Sequence, residues 1–127
     1  MEHTTIGKRQ RMILKCFWNA GGSMTVPEIE EALKRDFDVM LSRSAINTMV
    51  QILIEKGFLE LEKKKRYAYI YRVTLTKEEY QLQEMEYMKD EIFDGSLKKM
   101  LVGFVKERAS EEELAEIREL LGRKKDE

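Results

Sequence analysis

Residues Ser42–Gly57, SRSAINTMVQILIEKG, decide how the chain is read. Ile46, Met49, Val50, Leu53 and Ile54 recur at i, i+3, i+4, i+7 and i+8, which is one apolar stripe on a helix of about four turns. Ser42 stands where an N-cap is wanted, and Gly57 where a left-handed stop is favoured. The other face carries Arg43, Ser44, Asn47, Thr48 and Gln51. A face that is only solvated usually carries Glu and Lys. These short or medium donors and acceptors instead match the base edges of a major groove. The stretch therefore reads as a DNA-recognition helix.

Outward from it, the preceding residues supply a scaffold. Residues 6–20 form an amphipathic helix with Gln10, Ile13, Leu14, Phe17 and Trp18 on one face and Met12 and Cys16 at its margin. Gly21 and Gly22 end it. Thr25-Val26-Pro27-Glu28 is a capping box with Pro in the first turn, opening a helix to about residue 35. Phe37 and Val39 can fold back onto that helix. Helix, short connection and polar-faced helix is the order of a helix-turn-helix.

After Gly57 the period changes to two. Phe58–Glu62 alternates, and so does Arg66–Val73, with Tyr67, Tyr69 and Tyr71 on one face. Between them, Lys63, Lys64, Lys65 and Arg66 form a basic turn. Two strands joined this way make a wing whose cations suit phosphate contacts. The plainer reading is a solvated hairpin whose edge lysines deter aggregation. Three further amphipathic helices follow. Thr76-Lys77-Glu78-Glu79 opens the first, Asp94-Gly95 breaks it, Ser96 caps the second, and Ser110–Glu113 boxes the third. Leu97, Met100, Leu101 and Phe104 stripe the second, and Leu114, Ile117 and Leu121 the third. Gly122 and the tail RKKDE read as its end. Such short helices need a surface to cover them. A second copy of the chain would also supply the second half-site reader.

The chain is thus read as mainly α with a small β-wing. Residues 1–75 form a winged helix-turn-helix DNA-binding domain, and residues 76–127 a helical dimerisation domain. Charge divides the same way: residues 1–75 carry 13 Lys+Arg against 9 Asp+Glu, and residues 76–127 carry 10 against 15. A basic part beside an acidic one suggests a polyanion-binding module joined to something else. No catalytic constellation is visible, no metal-ligand spacing and no cofactor loop. His3 is the single His, and the single Cys16 cannot close an internal disulfide. No signal peptide or membrane span is apparent, so a cytoplasmic protein is expected.

The whole pattern resembles the penicillinase repressor family, the BlaI/MecI group with its copper-responsive CopY relatives. The likeness covers about residues 6–121. It rests on Ser42, Ile46, Thr48 and Met49, then Leu53-Ile54, Lys56-Gly57 and Leu59. It continues through Arg66 and the aromatic second wing strand to Phe93-x-Gly95-Ser96-Leu97, Met100 and Phe104. The resemblance implies a homodimeric repressor of resistance or stress genes, such as those of beta-lactam resistance, acting on inverted repeats of double-stranded DNA. Thr48 becomes the strongest carried-over DNA contact, with Ile46 and Met49 kept as core. Arg43-Ser44-Ala45 replaces the family's frequent Pro-Lys-Thr, and Lys63-Lys64-Lys65 stands where many members have a wing Gly. The resemblance also implies a sensor protease as partner, with its site at Gly103-Phe104, where the family's Asn-Phe keeps only the Phe. No Cys follows Cys16, so the copper branch's Cys-x-Cys pairs are lacking. The rival expectation is a winged-helix protein-interaction module without DNA binding, which the modest charge of residues 1–75 keeps open.

Overall fold

The computed structural model describes residues 3–126. The elements in order are α1 (Lys8–Asn19), β1 (Ser23–Met24), α2 (Val26–Phe37), α3 (Arg43–Glu55), β2 (Leu59–Lys65), β3 (Ala68–Val73), α4 (Lys77–Ile92), α5 (Leu97–Arg108) and α6 (Glu111–Asp126). Two compact units divide within α4, residues 1–83 and 84–127.

The first unit holds the core. Ile13, Leu14, Cys16 and Phe17 of α1, Ile29, Ala32 and Leu33 of α2, and Ile46, Val50 and Leu53 of α3 are buried together. Gln10 is half-buried on α1. Its side chain accepts from the Gly7 N–H at 3.2 Å and serves as a cap. The boundaries follow local chemistry. The Thr25 hydroxyl accepts from the Glu28 N–H, and the Glu28 carboxylate accepts from the Thr25 N–H at 2.9 Å. The Ser42 hydroxyl accepts from the Ala45 N–H at 3.1 Å. At the far end of α3, Gly57 adopts φ +86°, which lets the Phe58 N–H reach back to the Leu53 carbonyl at 2.9 Å. Asp38 takes the same left-handed role after α2, with φ +54° and the Val39 N–H on the Leu33 carbonyl.

The sheet has the order β1-β3-β2, all antiparallel. β1, which the sequence does not signal, is two residues pairing Ser23 with Arg72 and Met24 with Tyr71. The wing differs from its expected form. β2 runs through all three lysines, and Arg66-Tyr67 alone make the turn, since Lys65 pairs with Ala68. The three tyrosines also part company: Tyr71 is buried, whereas Tyr69 and Tyr67 extend beyond the core and are exposed. Trp18 lies at the core's edge, where its indole N–H donates to the Leu75 carbonyl at 3.0 Å and its ring tilts against Tyr80.

In the second unit the Ser96 cap and the Ser110–Glu113 capping box form as read. Asp94 and Gly95 are both left-handed, at φ +53° and +81°, which breaks the chain between α4 and α5. The expected stop at Gly122 is absent, because α6 continues through it to Asp126. One Gly costs a helix only about 1 kcal/mol, less than its neighbours can offset. Glu127, the last residue of the expected tail, lies outside the described residues.

Leu53 has no exposed surface, so Leu53→Ala should lower stability by about 2–5 kcal/mol in urea unfolding of the first unit. Cys16 offers a second check. Burial, reinforced by the Asp36 carboxylate, pushes its thiol from 9.0 up to about 11. The unfolded chain releases this proton at lower pH than the native one. The stabilisation from the neutral thiol is therefore lost as pH rises from 9.0 towards about 11. At pH 8, alkylation of Cys16 should be slow in native protein and fast in denaturant.

Candidate nucleic-acid interface

Burial of Ile46, Val50 and Leu53 rotates α3 so that Arg43, Ser44, Asn47, Thr48 and Gln51 are all exposed. The sequence places these five on one face, and the structure keeps them there. Their ties differ. The Arg43 guanidinium pairs with the Glu30 carboxylate of α2, Nε to Oε1 3.5 Å. The Thr48 hydroxyl donates to the Ser44 carbonyl at 3.1 Å, one turn back. That bond consumes its proton and leaves its oxygen lone pairs and methyl group to face a partner.

The wing completes a groove. A β-bulge at Glu62 sets Leu61 against Tyr71 but Lys63 against Ile70. The extra residue inverts the alternation of β2. Without it, Lys63 and Lys65 would follow Leu59 and Leu61 on the inward side. With it, Lys64 does, opposite Tyr69, with its ammonium 5.4 Å from that ring's centroid. On the other face Glu60 and Arg72 form an ion pair. The result is a groove of about 400 Å³ bordered by Arg43 and Asn47 of α3, Lys64 and Lys65 of β2, Arg66 of the turn, and Thr25–Pro27 at the start of α2. Ser44, Thr48, Gln51 and Lys63 lie outside its lining.

Tyr69, Tyr67 and the Thr25–Pro27 segment were not among the residues that sequence reading assigned to this site. The first two alternate as strand residues do, which assigns them no place at this site. The third read only as a helix cap. The groove's chemistry is cationic and donor-rich, with aromatic walls. Among the described residues, no group of His, Cys, Asp or Glu is placed to hold a metal ion.

An exposed polar helix face beside a cationic hairpin, on this core, defines the winged-helix class of DNA-binding regulators. The sequence model of the family described as penicillinase repressor matches residues 6–123. The chain belongs to the penicillinase repressor family and is a DNA-binding transcriptional repressor. Solved structures share the fold. F93 from STIV, a winged-helix DNA-binding protein, is 17% identical with a TM-score of 0.53, over 70% of this chain and 95% of its own. RosR of H. salinarum is 13% identical with a TM-score of 0.54, over 98% of each chain. The RosR–S1 complex is 15% identical with a TM-score of 0.54, over 95% of this chain and 93% of that one. No curated protein matches in sequence. Among the described residues, no helix is long and apolar enough to cross a membrane.

The α3 face and the wing should respond differently to truncation. Asn47→Ala and Thr48→Ala should each cost on the order of 1–3 kcal/mol on a specific site and little on random DNA. Lys64→Ala should weaken both alike and lower the salt slope by about 1. Identical behaviour of all three on both DNAs would remove α3 from the reading role.

Proposed function

We propose that this repressor acts as a homodimer on inverted-repeat operators, with residues 1–75 reading DNA and residues 76–127 joining the protomers. The observation that carries the DNA half is the shared groove of Arg43, Asn47 and Lys64, where base-reading and phosphate-binding side chains converge from two elements. Arg43, Ser44, Asn47, Thr48 and Gln51 address base edges and nearby phosphates in the major groove, and Lys63, Lys64, Lys65 and Arg66 the flanking backbone.

The dimer half is supported by what the second unit leaves uncovered. Leu97, Leu101, Phe104, Ile117 and Leu121 are exposed in the protomer, Phe104 by 68%. Met100 is buried and Leu114 half-buried within the protomer, so these two brace the helices rather than offer a surface. Apolar area of this extent on a soluble chain marks an association surface. A second copy also places two α3 helices on successive major grooves, about 34–36 Å apart.

Resistance or stress genes, beta-lactam resistance among them, are the targets that the family membership favours. A sensor protease is the corresponding inducer partner. Its bond would be Gly103-Phe104, which lies inside α5, so cleavage requires that helix to unwind. The Gly lowers the cost of unwinding by about 1 kcal/mol relative to Ala.

Wild-type protein should sediment as a dimer and prefer the DNA upstream of its own coding sequence to random DNA. Its affinity should drop by about 10³–10⁵ between 50 and 200 mM salt if six to ten phosphates are contacted. The double variant Leu101→Asp, Phe104→Asp should sediment as a monomer and lose operator affinity while the first unit melts as before. A dimeric double variant with full affinity would locate the protomer contact elsewhere.

A further inference from the structure

The first residue of α3 is a cation in an unfavourable place. The N-terminus of a helix carries partial positive charge, which favours an acid there and opposes a base. α3 nevertheless opens on Arg43 and has no acidic residue in its first turn. The countercharge comes from α2, where the half-buried Glu30 carboxylate accepts from Arg43 Nε at 3.5 Å. The Arg43 side chain is 65% exposed and that of Glu30 24%. A pair this open to water adds little to stability, so the fold does not account for it. Arg43 also begins the Arg43-Ser44-Ala45 stretch that departs from the family's frequent Pro-Lys-Thr, so the pair is a feature of this chain. Bulk attraction to DNA does not account for it either. A carboxylate beside a face that meets phosphates lowers sequence-independent affinity, and it cancels part of the charge that Arg43 would contribute.

We infer that Glu30 is a positioning residue that holds the Arg43 guanidinium ready to grip a guanine through O6 and N7, so that the half-site requires a G·C pair opposite Arg43. This role rests on the DNA-binding reading above, and it turns Arg43 from a general cation into a base-specific one. A guanidinium is planar and presents its donors in a fixed fork. The bond to Glu30 occupies Nε and leaves the two terminal nitrogens, which match the O6 and N7 acceptors of guanine in the major groove. Arg43 lines the same groove as Asn47, one turn further along the polar face. A long side chain loses rotamer freedom when it binds, and a partner that orders it beforehand lowers that cost. Partial neutralisation by Glu30 weakens attraction to phosphate while leaving the fork intact, which shifts the side chain from affinity towards discrimination. Adenine presents an amino group where guanine presents O6, so the same fork meets a donor there and is rejected.

The test is selection of bound duplexes from a library of DNA fragments with randomised sequence, using the full chain as wild type, Glu30→Gln, Arg43→Lys and the double variant. Wild type should enrich a motif with G at the position that Arg43 reads, and replacing that G·C pair by A·T should weaken binding about tenfold. 7-Deazaguanine at that position lacks the N7 acceptor and should weaken wild-type binding as well. Arg43→Lys keeps the charge without the fork and should lose the preference at that position alone. Glu30→Gln should lose most of the same preference and, with one carboxylate fewer, bind random DNA severalfold tighter. The two losses should not add in the double variant, because both act on one contact. A Glu30→Gln protein that melts with wild type yet keeps the G preference overturns the positioning role, as does one that weakens specific and random DNA alike. A G preference that survives Arg43→Lys overturns Arg43 as its reader. Absence of any enriched motif in wild type overturns the DNA-binding reading, and the guanine contact with it.

Discussion

The structure depends on the burial of one stripe of α3. Ile46, Val50 and Leu53 have no exposed surface and lock the helix against α1 and α2. An α-helix turns through 3.6 residues, so fixing one face fixes every other side chain on it. Rotating α3 by a single residue would push Asn47 towards the core and bring Val50 towards water. Each fully buried aliphatic contributes about 1.5–3 kcal/mol by leaving water, whereas an unpartnered buried amide costs about 1–3 kcal/mol. The rotation of α3 is therefore held far more strongly than any contact on its polar face could hold it. The residues of the polar face are free to vary with a partner because the core does not depend on them.

The wing solves a related problem by other means. A hairpin projecting past its core has no buried stripe to orient it. Its inward face is set by Leu59 beneath the sheet, by buried Tyr71 on β3, and by the bulge at Glu62. The bulge lets an apolar base and a cationic arm share one strand while still facing the same groove. β3 is tied on both sides, to β1 through Ser23 and Met24 and to β2 along its length. The central strand is thus the anchored one, and β2, with its lysines, is the edge. Placing cations on an edge strand also discourages edge-to-edge pairing.

Much of this was legible in the sequence because it is local. Capping boxes at Thr25, Thr76 and Ser110 close over three residues, and the stripe of α3 repeats within four turns. Glu28, Glu79 and Glu113 each return to the N–H of the residue that caps their own helix. What escaped notice is non-local. Ser23 and Met24 become a strand only because Arg72 and Tyr71, almost fifty residues later, pass beside them. The bulge at Glu62 exists only in the pairing of two strands, and nothing in LELEKKKRYAYI announces it. Composition places the turn on Lys63–Arg66, whereas cross-strand register puts it at Arg66-Tyr67. Gly122 was read as a stop by its type, yet α6 absorbed it. The polar face of α3 could be read from residue types, but which of its members border the groove depends on where the wing stands.

The two units are held together internally by different balances, and that difference bears on control. The first buries a continuous core of sixteen residues. In the second, only Met100 is buried among the described residues of 84–123, while apolar side chains on α4, α5 and α6 remain exposed. A unit with so little interior draws its stability from whatever covers it, and for a second copy that stability rises with protein concentration by mass action. Under the proposed dimer, a single cut or local unwinding in α5 would remove the covering surface without disturbing the fold that reads DNA. Each released protomer would retain its α3 face and wing but address one half-site, forfeiting the gain from tethering two readers at high effective concentration. Repression would then be switched by the weakly self-sufficient unit, whereas the strongly packed one stays unchanged between the bound and the released state.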